Sequence, residues 1–265
     1  MSKLSIASWN VEQFKLNTTL KDEVVKHIQS LNPDIFAILE VVGADVWRHM
    51  FTQFPDHSFY ITEGKQSQEI LVGVRKTLRC FLTQRDEFKA GRTSLRPGPF
   101  LTVQVNNEYY TILFLHLKSI SDPEGFGLRD DMVEHAFNLK KGLDKVPEAN
   151  GNAKFMFMGD LNTMGMDITY LADVEESDEI DRLRKRANRR GMVLLPKDHD
   201  RTWTNGNGWY SDLDHVVASD SIKFKSWNGN NVKVSGWNKY AEGTPKFNEF
   251  VNRISDHCSI YCEIE

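Results

Sequence analysis

The sequence predicts an α/β protein with mixed β-sheets, and three observations carry that reading. Short, nearly continuous apolar runs recur along the 265 residues, segments of helical period lie between some of them, and other runs follow one another without a helix. Leu4 to Trp9, Ile35 to Leu39, Ile70 to Val74, Tyr109 to Leu115, Phe155 to Met158 and Val216 to Ala218 are each too short for a helix and read as strands buried on both faces.

The helices follow from spacing. Val24, Val25, Ile28 and Leu31 mark one, with Thr18 or Thr19 as cap and Pro33 as stop. Leu128, Met132, Ala136, Leu139 and Leu143 form a second stripe, on which His135 reads as structural. Ile180, Leu183 and Ala187 form a third, with Ser177 as cap and Gly191 as the C′ residue. At the C-terminus Cys258, Ile260, Cys262 and Ile264 alternate with Ser259, Tyr261 and Glu263, predicting a strand with one face less apolar than the other. No repeat, low-complexity tract or Pro/Gly-rich linker divides the chain, so residues 1–265 read as a single domain although length alone would allow two.

Composition excludes whole classes. Hydrophobic residues at 40% and charged residues at 26% argue against disorder, collagen-like repeats and a coiled coil. No apolar run approaches the roughly 18 residues needed to span a bilayer, and the N-terminus lacks the long apolar stretch of a secretory signal. Cys80, Cys258 and Cys262 are odd in number and form no spaced framework. The expected setting is therefore the reducing cytoplasm, with neither a membrane nor an obligate protein partner. A net charge of -4 argues against affinity built on neutralising many phosphates. Any contact with nucleic acid must come from a local site, where a metal ion could supply positive charge.

Polar residues stand where the apolar runs end. The first run ends in Asn10, the second in Glu40 and the Tyr109 run in His116, while the Phe155 run leads through Gly159 into Asp160 and Asn162. Open α/β sheets hold ligands beyond the carboxyl edge of their strands, and a right-handed crossover would bring Asn10 and Glu40 to one rim. Carboxylates with amide oxygens, and no Cys or His pair at zinc spacing, make a hard oxygen site suited to magnesium, manganese or calcium. Glu40 and Asp256 are the candidate metal ligands. Asp160 is the candidate to orient or deprotonate an attacking water, fixed by Asn162 and Asn10. His116 and His257 are candidates to stabilise phosphate charge if a carboxylate holds each ring protonated, with Asp214 as candidate partner.

Trp9-Asn10, Leu39-Glu40, His116-Leu117-Lys118-Ser119, Gly159-Asp160-Leu161-Asn162, Asp214-His215-Val216-Val217 and Ser255-Asp256-His257 stand in an order that resembles the endonuclease/exonuclease/phosphatase superfamily across residues 9 to 257. The resemblance implies a four-layer αββα sandwich of the deoxyribonuclease I-like type, with its site at one rim. It implies Mg2+ (or Mn2+) held by Glu40 with Asn10 and Asp256 nearby, and Asp160 and Asn162 beside the nucleophilic water. It places His257 on the scissile phosphate, oriented by Asp214, with His116 a second phosphate contact. Lys118 resembles a further phosphate ligand, and Arg96-Pro97-Gly98-Pro99 is similar to a segment that opens a central strand and contacts backbone phosphate. Glu69 falls out of register with a Glu that pairs with the His116 equivalent in the deoxyribonuclease branch and is left out, as are Glu12, His27, His199 and His215.

Two surface features bear on the substrate. Acidic residues from Asp173 to Asp181 precede basic ones from Arg182 to Arg190, which reads as a solvated helix matched to its macrodipole. Arg75, Lys76, Arg79, Arg85, Lys89, Arg92 and Arg96 flank strands leading towards the site, and Trp203, Trp209, Trp227, Trp237 and Tyr240 crowd the C-terminal loops, where they stack on bases or pack inside. The sequence thus points to a metal-dependent phosphodiesterase that hydrolyses nucleic acid, DNA first, by water attack. The alternatives are a phosphatase or phosphodiesterase of small or lipid phosphoesters, such as inositol phosphates or sphingomyelin, and an inactive binding module.

Overall fold

The structure, a computed structural model, describes residues 3–14, 20–64 and 68–265. In chain order its elements are β1 (Leu4–Phe14), α1 (Lys21–Leu31), β2 (Ile35–Val41), α2 (Ala44–Gln53), β3 (His57–Ile61), β4 (Glu69–Arg75), β5 (Arg79–Arg85), β6 (Gly98–Val105) and β7 (Glu108–His116). Then come α3 (Pro123–Leu143), β8 (Phe155–Asp160), α4 (Glu176–Asn188), β9 (Met192–Leu194), β10 (Trp203–Thr204), β11 (Tyr210–Ser211), β12 (Asp214–Ser219), β13 (Lys233–Ser235), α5 (Pro245–Arg253) and β14 (Ser259–Ile264).

The strands build two six-stranded sheets, in the orders β13-β14-β1-β2-β4-β3 and β5-β6-β7-β8-β12-β9, with β10 and β11 as a separate hairpin. Both sheets are mixed: β1 with β2, and β7 with β8, are parallel, and the other pairings are antiparallel. The sheets face one another across Leu4, Ile6, Ile112, Phe114, Met156, Met158 and Val216. Val24, Val25 and Ile28 of α1 with Val46 and Met50 of α2 cover the outer face of the first sheet, and Met132, Ala136, Phe137 of α3 and Leu183 of α4 cover that of the second. This is the αββα sandwich that the resemblance implies.

All six apolar runs are strands, but several local expectations change. Thr18 and Thr19 lie outside the described residues; the cap position of α1 is Leu20, which makes no side-chain capping bond. Ser177 sits within α4, whose cap is Glu175. Gly191 does take the left-handed conformation, with φ 62°, but two residues beyond the C-cap Arg189. β14 is buried on both faces apart from Glu263, because His27 of α1 meets Ser259 and Trp227 packs against Tyr261 on its less apolar face. Arg96 precedes a strand that is next to the edge of its sheet, and not a central one. The acidic-then-basic stretch is the solvated helix expected, with Arg182 and Arg186 of α4 reaching Asp130 and Arg190 beyond its C-terminus reaching Glu134, both acids on α3.

The topology gathers the chemistry. The carboxyl ends of β1, β2, β7 and β8 and the starts of the antiparallel β12 and β14 meet at one rim, where Asp160 is in register with both His116 and Asp214. Gly159 allows this: its φ is +136°, and a Cβ there would lie 2.2 Å from the Leu115 carbonyl oxygen.

Candidate active site

Asp160 is the hub of the rim. Its side chain is buried, and Oδ2 accepts a hydrogen bond from Asn10 Nδ2 at 2.9 Å while Oδ1 accepts one from the Asn162 amide at 3.0 Å. His257 Nε2 lies 3.8 Å from the same Oδ2, and His257 Nδ1 bonds Asp214 Oδ2 at 2.8 Å. Burial pushes the Asp160 carboxyl up to about 7, against the opposing pull of His257. Burial opposes charge on His257 as well, but Asp214 and Asp160 outweigh it and raise the ring to about 10, so it stands as an imidazolium. Asp214 is the partner: Asp212 instead pairs with the buried Lys197.

His116 differs from the expectation of a charged ring. Its Nε2 is 3.5 Å from Glu40 Oε1 and 3.6 Å from Asp160 Oδ2, yet complete burial and the nearby charges of Arg96 and His257 hold it neutral. A neutral ring with its proton on Nε2 offers an N–H to the two carboxylates, while Nδ1 is buried with no partner.

Glu40 takes a strained conformation at the end of β2, with φ 60°, and its Oε2 accepts from the Gln68 side chain at 2.7 Å and from the Gln13 amide at 3.0 Å. Asn10 acts as a donor: Nδ2 also reaches Glu40 Oε1 at 3.2 Å, and Oδ1 is taken by the Glu12 amide. Trp203 Nε1 donates to Asp256 Oδ2 at 2.6 Å, while Asp256 Oδ1 is buried and accepts no hydrogen bond, with His257 Nε2 3.9 Å away. Burial raises the Asp256 carboxyl, and partial burial with the neighbouring charges of Asp256 and Glu40 pushes Glu12 up to about 7. Buried carboxyls held above their usual range, one with an oxygen that accepts no hydrogen bond, fit a hard divalent cation. The ligating atoms of Asp160, Asp214 and His257 also lie within 4.8 Å of one another. An imidazolium has no lone pair to give, however, so the Glu40, Asp256 and Glu12 side suits a cation better.

Arg96 is half-buried with its Nε unpartnered; burial lowers the pKa of its guanidinium, which stays charged with Glu40, Asp160 and Glu69 nearby in support. Lys118 is brought to the same rim in sequence, but among the described residues its ammonium touches no member of the cluster. Within the basic stretch Arg75 pairs with Asp34, Arg85 with Glu87 and Arg92 with Glu124. Of the aromatic side chains, Trp237 is buried, Trp227 packs against the core and Trp203 serves Asp256, leaving Trp209 at 73% and Tyr240 at 37% exposure.

Three contributors escaped the sequence reading. Glu12 stands two residues beyond Asn10, a same-face spacing that was there to be used. Gln68 carries no signal beyond preceding a strand. Thr202, far along the chain, uses its hydroxyl to accept from the Leu213 and Asp214 amides, both at 2.9 Å, and so fixes the start of β12.

The sequence pattern of the Endonuclease/Exonuclease/phosphatase family matches residues 7–257. The chain belongs to that family. It is accordingly a phosphoesterase hydrolase, and the family reading accounts for a metal-dependent site of buried carboxylates. No curated protein matches the chain in sequence at a significant level. Among solved structures it is similar to truncated Caenorhabditis elegans TDP2, with 17% identity and a TM-score of 0.67 over 98% of this chain and 97% of that one. It is also similar to D. rerio TDP2 complexed with a single-strand DNA product, with 15% identity and a TM-score of 0.68 over 100% of both chains. A third is the 3′ phosphatase NExo from Neisseria bound to a product DNA hairpin, with 14% identity and a TM-score of 0.60 over 99% of both chains. These likenesses show the shared fold. Among the described residues no helix is long and apolar enough to cross a membrane.

Proposed function

We propose that this chain, folded as one unit over residues 1–265, is a magnesium-dependent phosphodiesterase that hydrolyses nucleic acid, DNA in the first place, by attack of water. The observation that carries the reading is Asp160 set between the Asn10 amide and an imidazolium braced by Asp214. In the same wall stand Glu12 and Asp256, carboxyls that burial and like neighbours raise in spite of His257.

Each residue has a task that follows from its position. Glu40 and Asp256 would hold the cation, which when bound neutralises the carboxylates and polarises the phosphoester. Asp160 takes the proton of the attacking water, and the bonds from Asn10 and Asn162 aim its oxygens. His257 directs Nε2–H at a phosphate oxygen, with Asp214 fixing the ring and holding its charge. His116 sets Nε2 of a neutral ring beside both Glu40 and Asp160, and the guanidinium of Arg96 attracts the phosphate. Nucleic acid as substrate is supported by the partners of the similar structures, one with a single-strand DNA product and one with a DNA hairpin.

A substrate panel tests this. Supercoiled plasmid, single-stranded oligonucleotide and a phosphatidylinositol phosphate are incubated with enzyme and Mg2+. Nicking or shortening that EDTA abolishes is expected, and Asp160→Asn should lower turnover by about 100-fold or more while binding stays measurable. Phosphate release from the lipid without any cutting would replace the nuclease reading with the lipid phosphatase one.

A further inference from the structure

Arg129 of α3 is 1% exposed and lies outside every motif of the site. All its N–H donors are nonetheless used. Nε donates to Glu179 Oε1 at 2.9 Å, and Nη2 to Glu179 Oε2 at 2.9 Å and to the Gly165 carbonyl at 2.6 Å. Nη1 donates to the Ile120 carbonyl at 2.7 Å and more weakly to that of Lys118 at 3.4 Å. A guanidinium has five N–H groups, so none is left over. Glu179, on α4, also accepts from the Gly165 amide at 2.8 Å.

The carbonyls so held belong to two loops. One runs on from His116 through Lys118 to Ile120; the other runs on from Asp160 through Asn162 to Gly165. Both are strained. Ile120, a β-branched residue, has φ 105°, Asn162 has φ 49°, and Gly165 has φ 77°. At Gly165 a Cβ would lie 2.1 Å from the Val174 carbonyl oxygen. The two loops also bond each other, since Asn162 Nδ2 donates to the Leu117 carbonyl at 3.1 Å and the Leu117 amide to the Asp160 carbonyl at 2.9 Å.

A buried ion pair is a poor device for stability, because desolvation cancels much of its attraction and a well-packed apolar pair of similar volume often does as well. What such a pair does supply is direction. Here every bond not spent within the pair points at the backbone of the two loops, beneath residues whose aim the chemistry needs.

We propose that Arg129 and Glu179 are positioning residues for the phosphoester reaction: a buried clamp between α3 and α4 that holds the loops after β7 and β8, and thereby the orientation of Asp160 and Asn162. The proposal rests on the phosphoesterase reading above. Lysine at 129 keeps the charge but has three donors in place of five and no planar fork, so it cannot serve Glu179 and both loops together.

The test uses the full chain with bis(p-nitrophenyl) phosphate and Mg2+. Arg129→Lys should lower kcat at least 10-fold with KM changed less than 3-fold, and Glu179→Gln, which keeps shape and loses charge, should move kcat in the same direction by less. A cooperative melt confirms that each variant is folded. Backbone hydrogen exchange gives the second readout: amides of residues 117–120 and 161–165 should lose protection in Arg129→Lys while those of β6 and β12 keep theirs. Unchanged kcat in both folded variants, or protection lost evenly over the second sheet, overturns the clamp. If the wild-type chain hydrolyses neither this ester nor any nucleic acid, the phosphodiesterase reading fails on its own, and hydrogen exchange alone decides whether the clamp holds the loops.

Discussion

Asp160 and His257 carry opposite demands in one buried space. The carboxyl must be ionised to accept a proton, and the ring must stay protonated to face a phosphate. Burial and the neighbouring charges put the first near 7 and the second near 10. Because the groups interact, the values belong to the cluster as a whole. The expected dependence of kcat/KM on pH is therefore a bell: activity rises as Asp160 loses its proton and falls as His257 loses its own. A bound cation moves the acid limb lower. Asp214→Asn removes the nearest carboxylate that raises His257, so the alkaline limb should shift down by at least one pH unit; an unmoved limb would assign it to another group. At this scale Asn10, Glu40, Asp160 and Asn162 were legible because each ends or follows an apolar run, and Asp256 because it stands just before the alternating C-terminal strand. The neutrality of His116 was not, since it depends on complete burial and on Arg96 and His257, which lie 20 and 141 residues away in sequence.

At the scale of elements, period served the buried strands and failed the edges. β3 and β5 are outer strands with mostly half-exposed side chains, so neither a continuous apolar run nor clean alternation marks them. α5 had a signal that went unused: Thr244 before Pro245, then Phe247, Phe250 and Val251 at helical spacing, and the Thr244 hydroxyl does accept from the Phe247 amide. Gly159 shows how one element sets the site. Its positive φ and its contact with the Leu115 carbonyl let β8 run beside β7 with Asp160 opposite His116. Gly159→Ala must either open that pairing or strain the backbone. A cost of about 2 to 4 kcal/mol in urea unfolding is expected, with activity lost out of proportion as Asp160 moves. A stability equal to wild type would mean the strand can adjust around a Cβ.

For the whole molecule, charge was the least informative sequence quantity and becomes useful only when localised. The net charge of -4 says nothing of the rim, where Glu12, Glu40, Asp160 and Asp256 gather from both ends and the middle of the chain. Gathering them has a consequence for stability. Glu12 and Asp160 have carboxyls raised to about 7, so the folded chain binds their protons more tightly than the unfolded chain does. Their contribution is complete below the ordinary carboxyl range and is lost as pH rises through about 7 in the absence of a cation. Mg2+ replaces the missing positive charge in the folded state only. At 100 times its Kd it should add about 2.7 kcal/mol, which for a chain of this size is on the order of 5 to 10 °C in Tm. Because protons compete for the same oxygens, the rise in Tm should be larger at pH 8 than at pH 5, and Glu40→Gln should abolish most of it. Thermal melts with Mg2+ and with EDTA at the two pH values measure both effects. An equal response at both, or one that survives Glu40→Gln, would place the cation elsewhere on the protein.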